Sequence, residues 1–355
     1  MKKLKDGKYL TLLGIYIGLF LAGVFGALLF YGPAKQEARQ ISAQPAPHVS
    51  QTIERNVENG KGAVFTVLLL GHGGAGHSGG ALADAIQLLF VAPTSKKATL
   101  ISIPRDAWVS TPTGEAKINK AFTVGQTVNE RAESTKMAAA QVTGLPVDYF
   151  VSIDFSGFER LVDQLGGITV NVPRSFVDHF YPVRGKENDT CGLSIDEIAQ
   201  LHETHTGFEL EKQFTCRYES LKHEKGPTAM DGEAALKFVR SRHSPEHGGD
   251  FARGVRQQAV LLAIGEKLLS LRALSRVDQL YEEAAKIVNT DLSLPAAQEL
   301  VNILGEPSDY DIQTISLGEN VFNLATSGDG QSILVPAAGP GRFGAIHEHI
   351  QKRIN

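Results

Sequence analysis

Cysteine is scarce in this chain, which contains only Cys191 and Cys216. No CxxC pair occurs, so no zinc-site spacing is present. No G-x-x-x-x-G-K-[ST] occurs, which excludes a P-loop. His202-Glu203-Thr204-His205 sets its histidines three apart, not the four that a zinc-protease helix needs. No G-x-S-x-G elbow is present for a serine nucleophile. His72, His77, His243 and His247 sit in loop-like stretches, where histidine is more often solvated than metal-bound. Positive charge is not in excess either. The formal net charge is -4, so no global field draws in nucleic acid, and any anion site must be local. No internal repeat is found.

A composition of 42% hydrophobic and 21% charged residues is ordinary for a globular domain. The N-terminus is not ordinary. Lys2, Lys3, Lys5 and Lys8 precede an uncharged run over residues 9–32. About 20 apolar residues cross a bilayer core as a helix. The run has no A-x-A-like cleavage site at its end, so it is read as an uncleaved single-pass anchor. The lysines put residues 1–8 in the cytoplasm and everything after the anchor outside. Residues 33–60, interrupted by Pro33, Pro45 and Pro47, read as a juxtamembrane linker, and residues 61–355 as an extracytoplasmic domain. Outside the membrane, a Cys191–Cys216 disulfide closing a long polar loop is expected.

Short β-branched runs at 64–70, 85–91, 98–103, 148–153 and 168–172 predict strands. Apolar periodicity predicts helices over 127–142, stopped by Gly144, and over 155–165, stopped by Gly166-Gly167. Further helices are predicted at 232–238 and 250–269. The alternation implies a layered α/β domain. Residues 174–230 are polar and weakly periodic, and read as a long excursion with one short helix at 195–202. The tail is read as mostly helical, at 277–288, 295–304 and 343–354, with one strand at 312–315.

Several clusters could carry chemistry. Residues 71–80 read GHGGAGHSGG after a predicted strand. Gly71, Gly73 and Gly76 match G-x-G-x-x-G, but a strand rather than a helix follows, and no carboxylate lies at 90–96. The turn is either a flexible connection or a cradle of backbone N–H groups for phosphate. Asp84 precedes an apolar strand, where a carboxylate caps a turn or holds a hard cation such as magnesium. Arg105 ends the strand at 98–103 and must pair with Asp106 or meet a ligand, because an unpaired buried charge is costly. Lys117 and Asn119 follow. Arg240 and Arg242 fall on one side of an extended segment and repel unless an anion bridges them. Guanidinium forks match phosphate oxygens. Asp250 is a credible helix N-cap, and Arg253 and Gln257 share the face of the helix behind it. Five arginines near turns, namely Arg105, Arg240, Arg242, Arg253 and Arg256, point to an anion site the size of a diphosphate.

In order, LLLG with its glycine-rich turn, Asp84, SIPRD at 102–106, KIN at 117–119, the block 148–172 and GEAALKFVRSRHSPEHGGDFARGVRQQ at 232–258 resemble the LytR-CpsA-Psr family. The resemblance covers residues 64–265 and leaves 266–355 as a helical extension. It implies an α/β/α sandwich with a mixed central sheet and an apolar pocket for a polyprenyl chain. It also implies a phosphotransferase that moves a glycopolymer from polyprenyl pyrophosphate to peptidoglycan, with pyrophosphatase action as a side activity. By motif, Asp84 helps place Mg2+. Arg105, Arg240, Arg242 and Arg253 grip the pyrophosphate, with Lys117, Asp250 and Gln257 in support. Asp84 or Asp106 is the base. The family often has arginine two residues before the motif aspartate and threonine one after it; here Leu82 and Ala85 stand there. One phosphate contact is therefore missing, so that either activity is altered or His72, His77 or Lys117 replaces it. The alternative function is a non-catalytic polyprenyl-phosphate binder or envelope regulator.

Overall fold

A computed structural model of the protein describes residues 64–77, 79–271, 287–293, 296, 300, 303–304 and 309–354. The anchor and linker read at 9–32 and 33–60 lie outside the described residues, as do most of the helices read at 277–288 and 295–304. Among the described residues, no helix is long and apolar enough to cross a membrane.

The centre is a six-stranded mixed sheet in the order β11-β6-β1-β2-β3-β12. Its strands are β1 (Phe65–His72), β2 (Ala83–Ala92), β3 (Lys97–Ser102), β6 (Tyr149–Asp154), β11 (Val288–Thr290) and β12 (Asp311–Ser316). β1 runs antiparallel to β2 and parallel to β6. β12 is parallel to β3, and β11 antiparallel to β6. These strands read as near-continuous apolar runs because both faces are covered. Val67, Leu69, Leu89 and Val91 point into one core, while Leu68, Leu70, Ile86 and Leu88 point into the other, as period-two alternation requires.

The first core is closed by α3 (Phe155–Gln164), α6 (Gly232–Arg240) and α7 (Gly249–Leu271), which contribute Leu161, Phe238 and Val260 among others. The second is closed by α1 (Ile118–Ala121), α2 (Val128–Thr143) and α8 (Gly344–Ile354), through Phe122, Ala139, Ile346 and Ile350. Caps fix these helix ends. Thr127 and Glu130 form a reciprocal capping box on α2, and Gly144 ends it in the left-handed region at φ 68°. Asp154 caps α3 by accepting from the Gly157 N–H.

Several parts differ from the sequence reading. The segment 266–355 is not simply a helical extension. Besides the edge strand β12, expected at 312–315, it supplies β11 and a hairpin of β13 (Phe322–Thr326) and β14 (Ser332–Pro336). An unpredicted hairpin of β4 (Trp108–Thr111) and β5 (Gly114–Lys117) follows SIPRD. β7 (Ile168–Val172) leaves the central sheet and pairs with β10 (Gly226–Met230). Between them the excursion is well organised. β8 (Phe176–Pro182) pairs with β9 (Tyr218–His223), and α4 (Ile195–Thr204) and α5 (Gly207–Glu211) fill the connection. Cys191 and Cys216 are disulfide-bonded across that connection, as the sequence led us to expect. Side chains at α4 and α5 are not buried, so periodicity could not reveal this part.

Two fold predictions follow from buried polar groups and loop closure. Asp148 Oδ2 accepts from the Thr66 backbone N–H at 2.9 Å and from its hydroxyl at 3.2 Å, joining β1 to β6 in a buried setting. Asp148→Ala leaves that N–H unsatisfied and lowers unfolding free energy by about 2 kcal/mol, read from the midpoint of a denaturant curve. Cys191→Ser with Cys216→Ser removes closure of a loop of sequence separation 25 and costs about 3 kcal/mol, concentrated in the excursion and read by hydrogen exchange.

Candidate active site

The sheet's first core does not fill completely. At the ends of β1, β2 and β6 it leaves a cavity of about 300 Å³ under α3, α6 and α7. Its interior is apolar, walled by Leu69, Val151, Ile153, Phe158, Leu236 and Leu261. Charge gathers along the rest of its wall. Arg105, Arg240, Arg242 and Arg253 line it, against the carboxylates of Asp84 and Asp154. A narrow greasy chamber beside four guanidinium groups suits a molecule with an apolar tail and an anionic head.

Six of the predicted site residues line this cavity, namely Asp84, Arg105, Arg240, Arg242, Arg253 and Gln257, and His243 lies on its wall as well. Asp106, Lys117 and Asp250 stand behind them. Arg105 is the meeting point. Its Nη1 lies 2.5 Å from Asp84 Oδ1, and its Nε lies 3.7 Å from Asp106 and 3.6 Å from Asp250. Lys117 pairs with Asp106 at 2.8 Å. Asp250 also reaches Arg253 at 3.0 Å and Arg242 at 3.1 Å. One carboxylate thus serves three guanidinium groups. Gln257 donates to the Asp84 carbonyl at 3.4 Å and accepts from Gln87 at 3.3 Å, tying α7 to β2. Gly254 on α7 faces Ser102, whose Oγ would lie 2.6 Å from an added Cβ, so glycine permits this close approach of helix and sheet.

Burial sets the acid–base behaviour of the cluster. Burial pulls Arg253 down to about 10, with Asp250 opposing and Arg105 and Arg242 adding to the fall. Burial also works against the proton on Arg105, but Asp250, Asp84 and Asp106 outweigh it and the value rises. Desolvation alone would raise Asp250; Arg253, Arg242 and Arg105 instead hold it below the ordinary aspartate range.

Asp84, Asp106 and Asp250 offer only oxygen donors, the set that magnesium takes. Asp106 and Asp250 are turned on the Arg105 guanidinium, which already supplies positive charge between them; Asp84, on the cavity wall, is the carboxylate placed to share a cation with a phosphate ligand. The tight grouping of metal-ligand atoms found among the described residues is instead Asp189, Cys191 and Cys216, whose cysteines are used by the disulfide.

Other sequence candidates fall elsewhere. Arg256 does not line the cavity; it is fully buried and donates to the carbonyls of Phe238, Ser241 and His247. The glycine-rich stretch is a turn between antiparallel β1 and β2, which removes the dinucleotide reading. Gly74 (φ 81°) packs on Asp154, whose Cβ would lie 2.8 Å from an added Cβ. His72 packs on Phe122 and His77 on Phe155, and neither lines the cavity. Some wall residues escaped sequence reading. Tyr181, on β8, accepts from Arg240 at 3.4 Å, and Phe155 lies 4.4 Å under the Arg240 guanidinium. Tyr181 sits in a stretch without periodicity, so nothing local marked it.

The depressed Asp250 gives a pH prediction. Its contribution to stability is complete above the ordinary aspartate pKa of about 3.9 and is lost as pH falls through its lower folded value. Unfolding free energy is expected to drop below about pH 4, and Asp250→Asn to make that drop shallower, as denaturant curves across pH would read.

Comparison with known proteins bears on the family and the fold. The chain is 25% identical over 238 residues to the polyisoprenyl-teichoic acid–peptidoglycan teichoic acid transferase TagV of Bacillus subtilis, covering 66% of this chain and about half, 51%, of that protein. It is 28% identical to TagU of Enterococcus faecalis, across 80% of this chain and 79% of the relative. It is 29% identical to TagT of Bacillus subtilis, across 78% and 74%. Among solved structures, B. subtilis TagV superposes with a TM-score of 0.54 at 21% identity, covering 82% of this chain and 97% of that one. A Streptococcus agalactiae protein superposes at 0.59 with 23% identity, covering 84% and 90%. These likenesses support the same mixed α/β fold. The LytR_cpsA_psr family model matches residues 28–337, and the chain belongs to that family.

Proposed function

We propose that this protein is a cell-wall glycopolymer phosphotransferase, which takes a phosphorylated glycan from a polyprenyl pyrophosphate carrier and transfers it to peptidoglycan. The observation that carries this reading is the cavity itself, with an apolar interior against a wall of Arg105, Arg240, Arg242 and Arg253. The prenyl chain enters the apolar part, and the diphosphate meets the guanidinium groups. A sugar hydroxyl of peptidoglycan attacks the glycan-side phosphorus. The bond from that phosphorus to the bridging oxygen breaks, and prenyl phosphate leaves with the electron pair. Preorganised guanidinium groups stabilise the charge that builds on the leaving oxygens in a site with little water. Asp84 or Asp106 accepts the hydroxyl proton in this reading; Asp84 pairs with Arg105 and Asp106 with Lys117. Magnesium would be held by Asp84, and when bound would neutralise phosphate charge. Water in place of the sugar hydroxyl gives pyrophosphatase action as a side reaction.

The same reading places the domain outside the cytoplasmic membrane, tethered by residues 9–32 with the N-terminus inside. It is supported by the lysines before an uncharged run and by the disulfide, which persists in oxidising surroundings. A tether raises the encounter rate with a carrier lipid that is itself membrane-bound.

The test is release of prenyl phosphate and labelling of peptidoglycan by the full chain with a polyprenyl pyrophosphate glycan. Arg105→Ala or Arg240→Ala is expected to lower the rate by about 100-fold or more. A chelator is expected to abolish turnover, and added Mg2+ to restore it. Leu82, standing where the family often has arginine, gives a second reading some weight: a non-catalytic prenyl-phosphate binder. Tight binding with no product under these conditions would favour that reading.

A further inference from the structure

The turn that carries Arg240 and Arg242 is gripped from behind by two buried side chains of opposite charge. The first is Asp178 on β8, which is fully buried. Its Oδ2 accepts from the Ser241 hydroxyl at 2.6 Å and from the backbone N–H groups of Arg242 and His243 at 3.0 and 3.1 Å. Its Oδ1 accepts from the Phe180 N–H at 3.0 Å. The second is Arg256 on α7, also fully buried. Its Nε donates to the Phe238 carbonyl at 3.1 Å, its Nη1 to His247 at 2.8 Å, and its Nη2 to Ser241. The same guanidinium lies 4.8 Å over the Phe176 ring, again on β8. The carboxylate collects the donors of the turn and the guanidinium collects its acceptors. Neither residue lines the cavity.

This arrangement opposes a specific tendency. Arg240 and Arg242 repel each other; Arg240 ends α6, and the backbone leaves the helix at Ser241 (φ -52°, ψ 137°), so no helical ladder holds Arg242 and His243. An irregular segment with repelling side chains would otherwise sample many conformations, and a bound anion would have to order it. Holding the backbone in advance lowers that cost.

We propose that Asp178 and Arg256 are positioning residues: they fix the Ser241-Arg242-His243 backbone so that Arg240 and Arg242 stand ready for the diphosphate, without touching it themselves. The inference rests on the headgroup reading given above. It also gives the disulfide-closed excursion a part in the site, because β8 is its first strand and carries both Asp178 and Tyr181.

Calorimetric binding of farnesyl pyrophosphate and of farnesol to the full chain in detergent tests it. Asp178→Asn is expected to weaken farnesyl pyrophosphate binding about tenfold and leave farnesol binding unchanged. Ser241→Ala removes one donor and leaves the carboxylate in place, so a smaller loss of about threefold is expected, again confined to the pyrophosphate. It decides the matter if Asp178→Asn does not fold. Asp148→Asn, altering a buried carboxylate at the β1–β6 junction, is expected to lower Tm without changing either affinity. Loss of both ligands together, or retention of wild-type pyrophosphate affinity in the Asp178 and Ser241 variants, overturns the proposal. If the wild-type chain binds farnesol as tightly as farnesyl pyrophosphate, the headgroup reading itself fails and takes this inference with it.

Discussion

Three guanidinium groups cannot sit within a few ångströms of one another in a half-buried site without a shared counter-charge, and Asp250 supplies it. Its carboxylate reaches Arg253, Arg242 and Arg105 at 3.0, 3.1 and 3.6 Å. These three come from α7, from the turn after α6 and from the end of β3. The ion cluster therefore joins segments distant in sequence at one end of the sheet. Such an arrangement contributes little net stability, because desolvation offsets most of the attraction. Its value is positional: without ligand, the arginines are held near one another instead of splaying into solvent.

The fold supplies the frame for that cluster. Strand alternation makes two separate cores, and the one under α3, α6 and α7 stays open where β1, β2 and β6 end. The Asp154 cap fixes the start of α3 beside the cavity, while the Asp148–Thr66 join holds the starts of β1 and β6 at the end away from it. A second tier of buried polar contacts then fixes the irregular backbone: Gln87 and Gln257 between β2 and α7, and Asp178 and Arg256 around the arginine turn. Belonging to the LytR_cpsA_psr family is consistent with this frame. Within it, Ala85 lines the cavity beside Asp84, and Leu82 and Ala85 stand where the family often carries arginine and threonine.

The amino-acid sequence by itself determined the elements whose signals are local. Apolar runs marked β1, β2, β3 and β6, because a strand buried on both faces needs apolar side chains throughout. Thr127, Gly144 and Gly166 marked helix ends through capping and backbone freedom. Arg105, Arg240, Arg242 and Arg253 were legible because a charge beside an apolar element demands a partner. Tertiary structure alone decided which partner each found. Asp106 turned to Lys117, Asp250 became the shared carboxylate, and Arg256, one of five similar arginines, turned away to hold carbonyl groups. The strands of the excursion and the part played by Asp178 and Tyr181 were also decided there. Their stabilising contacts join residues some 60 positions apart, as in Asp178 to Ser241, and no periodicity within one segment encodes a contact made to another.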